Sequence, residues 1–375
     1  MKAFLIGDTH FGLSPINYDK HLKMMVDYFD NFFIPLLKEK SKPGDILIHV
    51  GDLFDNRTQI PIDVLNTVER IMTEISEILP VHIIIGNHDI FNKSTNDVNS
   101  VKSLRWAPNI SVYEKTTLLK FSNKELLLMP WVEERLEQSN LLKQFSGADY
   151  LFCHSDLSGC RMHLSSVAWK NKNKIDIEDF GSYGHCYSGH IHLKQTNKNF
   201  TFIGSPYQMD RNDVGDQKGI YILDIESGDT EFIPNKLSPE FIKISILTED
   251  DISKLETVDA SKNYIDLSIS NSLLINNRKM RRNIEIALEK GNFAKIEYVN
   301  DIVNEDVSGS EDDDLVDILD DIDLDNIKLD ELEDIVLKYI ERQNYDNKDV
   351  KDGIIEEYTK ILNIYKDEYK FKKEK

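Results

Sequence analysis

The chain has 375 residues, 66 of them acidic and 45 basic, with a formal net charge of −21, 40% hydrophobic and 9% aromatic residues. That length and apolar content support two or three domains around a sizeable core and exclude a disordered or fibrous chain. Cys153, Cys160 and Cys186 are too few and too irregular for a disulfide framework, and neither a signal peptide nor a membrane span is seen, so a reducing, cytoplasmic setting is expected.

In chain order, KAFLIG (2–7) and DILIHVG (45–51) read as short strands that each stop at Gly-Asp. Between them Leu22, Met25, Val26, Phe29, Phe32, Phe33 and Leu36 recur at helical spacing, with Pro35 expected to kink or divide the helix. A second helix is expected over 61–79, with Pro61 at its first position and an apolar stripe through Val64, Val68, Ile71, Ile75 and Leu79. VHIIIG (81–86), ISVYE, ELLLMPWV, DYLFCHS, TFIGSP and GIYILDIESGDTEFIP follow as extended runs. Alternating strands and helices followed by successive strands predict an α/β sandwich over 1–240, sheets inside and helices outside.

From 241 to 300, three further extended runs and the helix-like NNRKMRRNIEIALEK predict a small α+β domain. Residues 301–334 hold sixteen acidic side chains and one lysine, so the other 341 residues carry only −6. The negative charge is thus concentrated, as in a solvated linker (301–326) or interaction tail. Helical stretches over 327–342 and 348–370 close the chain. The second has a stripe from Val350 to Tyr369, which either docks on a partner or packs on its own chain.

Polar groups gather where the apolar runs end. GDTH gives Asp8 and His10, GDLFD gives Asp52 and Asp55, and GNHD gives Asn87, His88 and Asp89; FCHS and SGHIH add His154, His190 and His192. In extended chain a spacing of two turns both side chains to one side, which predicts that Asp8 and His10 point together, as do His190 and His192. Each element alone is ordinary: Asp after Gly is usually a turn residue, which is the reading favoured for Asp89, and a lone histidine is usually core. Five such loops in series are not ordinary, because the carboxyl ends of strands are where α/β sheets build sites. Carboxylate, imidazole and amide ligands without thiolate suit divalent ions such as manganese, iron or zinc.

This order of motifs resembles the calcineurin-type metallophosphoesterase superfamily over about residues 1–230. FIGSPYQ and KGIYILDIE look like the SbcD-type DNA repair and recombination nucleases, among them the recombination endonuclease subunits of T-even-like phages. The resemblance implies a metallophosphoesterase β-sandwich flanked by helices, a capping domain over 241–300, and a helical partner-binding region over 327–375. It implies two divalent ions, expected to be Mn²⁺: Asp52 bridges them, Asp8, His10 and His192 complete one, and Asn87, His154 and His190 the other. His88 is expected off the metals, stabilising charge or protonating the leaving group, with Asp55 holding it. Where Asp55 stands, cellular relatives often carry a histidine, so a second catalytic imidazole is not carried over. The implied activity is single-strand endonuclease and 3′-to-5′ exonuclease on duplex ends, with an SbcC-type coiled-coil ATPase and a possible homodimer.

Arg57, Arg105, Arg161 and Arg211, with Lys170, Lys172 and Lys174, are candidates for DNA phosphates. Two alternatives keep the sequence facts: the same metals with another phosphate ester as substrate, or a non-catalytic scaffold, which should have lost ligands that this chain retains.

Overall fold

The computed structural model describes residues 1–13, 18–92, 95–105, 107, 109–121, 123–168, 171, 174–256, 263–270, 281–282, 293–299 and 358. The chain divides into two compact units, Met1–Asp301 and Ile302–Lys375. The expected acidic linker and C-terminal helices fall outside the described residues, Tyr358 excepted.

The strands are β1 (Lys2–Ile6), β2 (Ile46–His49), β3 (Val81–Ile84), the hairpin β4 (Ile90–Asn92) and β5 (Thr95–Asn99), and β6 (Ile110–Tyr113). Then come β7 (Thr117–Phe121), β8 (Lys124–Met129), β9 (Tyr150–His154), β10 (His185–Gly189), β11 (Gln195–Asn197) and β12 (Phe200–Phe202). The last are β13 (Gly219–Asp224), β14 (Thr230–Pro234), β15 (Phe241–Ile246), β16 (Tyr264–Ser270) and β17 (Phe293–Val299). One six-stranded sheet runs β14-β13-β1-β2-β3-β6, and the other runs β11-β12-β10-β9-β8-β7.

The two sheets face each other because their strands alternate apolar side chains to both faces. Ala3, Leu5, Ile46, Ile48, Leu126, Leu128, Tyr150 and Phe152 pack between the sheets. Their neighbours Phe4, Ile6 and Leu47 pack with Phe29, Phe33, Val64, Val68 and Ile71. On the other side Leu127, Met129, Leu151 and Cys153 pack with Leu142 and Phe180. The period of two thus gives the expected helix–sheet–sheet–helix sandwich. Burying one such Leu, Ile or Phe contributes about 1.5–3 kcal/mol.

Pro35 divides its helix as expected. Helix α1 (Tyr18–Tyr28) passes into a π turn over Phe29–Phe33, and α2 (Ile34–Lys40) begins with the proline in its first turn. The wider turn accommodates a ring that lacks an N–H and would crowd the preceding turn. Helix α3 (Ile62–Ile78) starts one residue after Pro61, and the five stripe residues are buried.

Strands β15, β16 and β17 form a separate parallel sheet in the region expected to be a capping domain. Most of NNRKMRRNIEIALEK lies outside the described residues. Side chains tie this sheet to the loop after β12: Phe241 N–H donates to Gln208 Oε1 at 2.8 Å, and Arg211 Nε to Asp266 Oδ2 at 2.5 Å. Among the described residues, no helix is long and apolar enough to cross a membrane.

Candidate metal centre

Five strand ends deliver the polar groups. Strands β1, β2 and β3 are mutually parallel in one sheet, β9 and β10 are parallel in the other, and all five aim their carboxyl ends at one place. His154 is the last residue of β9 and pairs with Gly189 at the end of β10.

The orienting device differs from the expected one. Asp8 (φ 50°), His10 (φ 43°), Asp52 (φ 54°) and His190 (φ 85°) leave the extended region for positive φ, so strand alternation does not aim them. Such conformations cost energy in non-glycine residues and persist only where surroundings over-determine them. Here Asp8 N–H donates to the Gly51 carbonyl at 2.9 Å, His10 N–H to the Asp52 carbonyl at 3.1 Å, and His190 N–H to Asp8 Oδ1 at 2.9 Å.

All seven expected ligands come together. Asp8, His10 and His192 hold one ligand atom each within 4.8 Å of one another, and so do Asp52, His154 and His190. Asn87 Oδ1 lies 2.9 Å from both His154 Nε2 and His190 Nδ1. Asp52 sits between the groups: its Oδ2 is 3.2 Å from His154 Nε2 and 3.6 Å from His10 Nε2. Gly86 permits this, since a Cβ there would stand 2.2 Å from Asp52 Oδ1.

Burial governs the charges. It pushes the Asp8 carboxyl up to about 6, although His154 opposes the shift. Burial works the same way on Asp52, but His154 and His10 outweigh it and hold Asp52 well below the usual carboxylate range. Burial disfavours charge on His154 as well, yet Asp52 beside it raises the ring to about 9. Burial takes His190 down to about 4 and His192 well below its ordinary value, leaving neutral imidazoles, the form that ligates.

The set fits divalent ions. It offers two buried carboxylates, four imidazoles and an amide oxygen, and Asp8 Oδ2 makes no hydrogen bond among the described residues. A buried acceptor of that kind wants a cation. Cys153 and Cys186 are buried thiols whose ionisation burial suppresses, so thiolate is not among the donors.

Two assignments change. The Asp55 carboxylate does not hold His88: its Oδ1 is 3.1 Å from His10 Nδ1 and 4.0 Å from His88 Nδ1. His88 is held instead by the Asp55 backbone carbonyl, 2.8 Å from Nδ1. Asp89 is more than a turn residue. It is fully buried, and its carboxylate accepts from the N–H groups of Leu53 (3.0 Å), Phe54 (3.1 Å) and Gly86 (2.9 Å). Of the DNA candidates, Arg105 and Arg211 are engaged by Glu114 and Asp266, which locally neutralises them. Arg57 is half-buried, Arg161 is exposed, and Lys174 pairs with Asp156 at 3.0 Å; Lys170 and Lys172 lie outside the described residues.

Sequence reasoning missed three supports. Trp131 packs its ring 5.0 Å from that of His190 and 5.9 Å from that of His154. Tyr207 donates from its hydroxyl to the Thr9 carbonyl, between Asp8 and His10. Lys218 donates to the His192 carbonyl. Only the position of Tyr207 in FIGSPYQ and of Lys218 in KGIYILDIE hinted at a role.

Residues 1–200 match the calcineurin-like phosphoesterase family. The chain is similar to exonuclease subunit 1 of Enterobacteria phage T4, 28% identical over 244 residues that cover 63% of this chain and 68% of that one. It is also similar to two viral proteins that bear phosphoesterase names. The protein 244L of Invertebrate iridescent virus 6 is 24% identical, over 55% of this chain and 70% of its own. The protein 078R of Invertebrate iridescent virus 3 is 25% identical, over 56% of this chain and 58% of its own.

Proposed function

The chain belongs to the calcineurin-like phosphoesterase family, metal-dependent hydrolases of phosphate esters, and from that premise we propose that it is a dinuclear DNA nuclease. It cuts single strands internally and degrades duplex ends in the 3′-to-5′ direction. The carrying observation is the convergence of seven ligand-type side chains from five strand ends in a chain similar over 244 residues to an exonuclease subunit.

Asp52 would bridge the ions, Asp8, His10 and His192 would hold one, and Asn87, His154 and His190 the other, with manganese the proposed metal. When bound, such a pair supplies a nucleophile at neutral pH and offsets charge on the phosphate. His88 manages the leaving group. With Nδ1 donating to the Asp55 carbonyl, Nε2 is the nitrogen left for a substrate oxygen, and the side chain is 37% exposed. Its backbone N–H donates to Asp52 Oδ1 at 2.7 Å, which fixes the ring's distance from the bridging carboxylate. The work is shared with an SbcC-type ATPase gripped by residues 327–375.

The test is manganese-dependent digestion of end-labelled duplex and single-stranded DNA by wild type and Asp52→Ala. Wild type should cut both substrates, while Asp52→Ala loses activity and bound metal together. Hydrolysis of small phosphate esters with DNA left intact would favour a different substrate, and full activity and metal content in Asp52→Ala would remove the bridging role.

A further inference from the structure

The segment carrying His192 is gripped by a group that the proposed reaction does not use. Lys218 stands one residue before β13 and is 3% exposed. Its ammonium donates to Asp213 Oδ1 at 2.6 Å and to the His192 carbonyl at 2.9 Å, and lies 2.8 Å from Asp216 Oδ2. Both carboxylates are buried with it. A buried ammonium demands charged partners, and two carboxylates meet that demand fully. The bond to a neutral peptide carbonyl is therefore not needed to compensate the charge, but it does fix the His192 peptide.

A second tie reaches the same oxygen. Ser205 N–H donates to the His192 carbonyl at 3.1 Å. The neighbouring Gly204 (φ +72°) makes room, because a Cβ there would stand 2.8 Å from that oxygen. The clamp lies two residues beyond His190, whose φ of 85° is a costly conformation that the surroundings must hold in place. At the far end of the clamped residue, His192 Nε2 lies 3.2 Å from His10 Nε2.

We propose that Lys218 is a positioning residue for one ion of the pair: by clamping the His192 carbonyl, it sets the imidazole beside His10 and Asp8. The inference rests on the ligand assignment above. Asn87, His154 and His190, which hold the other ion, should not feel it.

The experiment is a titration of the metal-free, full-length protein with Mn²⁺, read by calorimetry and by the spin-resonance signal of free manganese. Lys218→Met alone strands two buried carboxylates and can unfold the chain. The informative variant is therefore Lys218→Met with Asp213→Asn and Asp216→Asn, in which the amide oxygen at 213 can still accept from Met209 N–H. Circular dichroism establishes that it is folded. Wild type should bind two ions. The folded triple variant should bind one of them about 10-fold more weakly, the lower end of what loss of a ligand's supporting partner costs, and the other unchanged. Equal binding of both ions in the folded triple variant would overturn the positioning role. A wild-type protein that binds no pair of ions would overturn the ligand assignment instead, and the two failures are told apart by the wild-type titration alone.

Discussion

At the scale of single residues, Asp55 and His88 divide the work differently from the expected Asp–His pair. The Asp55 carboxylate faces His10, whereas His88 is oriented by a backbone carbonyl that any residue at 55 would supply. Asp55→Asn should therefore act on the metal: its apparent Mn²⁺ affinity falls by about 10–100-fold, and excess metal restores most of the turnover. His88→Gln should do the reverse, lowering turnover by about 10²–10⁴-fold at saturating metal, with Mn²⁺ content unchanged. Metal content by atomic absorption beside turnover on a simple diester separates the two. If Asp55→Asn keeps full affinity and loses turnover irrecoverably, the carboxylate serves His88 after all. The ligand types were legible in the sequence because chemistry restricts them, and their positions behind apolar runs marked them as strand-end groups. The pairing of Asp55 with His10 was not legible, because it depends on which way His10 turns at positive φ.

At the scale of elements, the loops after β2 and β3 are joined by one buried carboxylate. Asp89 collects three backbone N–H groups, two of them from Leu53 and Phe54 in the other loop. The loops in turn set Asp52 and Asn87, so Asp89 holds the two halves of the centre in register. In Asp89→Asn one acceptor oxygen becomes a donor facing N–H groups, which leaves at least one buried donor without a partner and costs roughly 1–3 kcal/mol. Urea denaturation should show a lower midpoint at unchanged slope; an unchanged midpoint would mean that water or a shifted backbone takes the place of the carboxylate. Periodicity did reveal β1, β2, β3, the helices between them and the division at Pro35, since repeats of two and of 3.6 are printed in the order of side chains; it did not reveal β10 or the β4–β5 hairpin, whose short runs are too polar to show a period. Ties such as Asp89 to Leu53, Arg211 to Asp266 and Lys218 to His192 join residues far apart in sequence, so local pattern carries no trace of them.

At the scale of the whole molecule, a chain of net charge −21 is an unpromising partner for DNA until the charge is located. Residues 301–334 account for −15 of it, and only −7 is spread over residues 1–300. The proposed metal-ligating side chains all lie within Met1–Asp301, and among the described residues no sandwich strand is drawn from beyond that unit. Hydrolysis and partner binding should then separate on cutting the chain. A version ending after residue 325 keeps every proposed ligand, Lys218 and every described strand, and should hydrolyse bis-p-nitrophenyl phosphate with Mn²⁺ within about twofold of the full-length rate, on the additivity expected of independent groups. The same version should fail to co-purify with the coiled-coil ATPase, because the apolar stripe from Val350 to Tyr369 is gone. Retained co-purification would place the docking surface on the first unit and leave the stripe to pack within its own chain. Lost hydrolysis in a folded truncated protein would mean that the C-terminal residues help to build the centre itself.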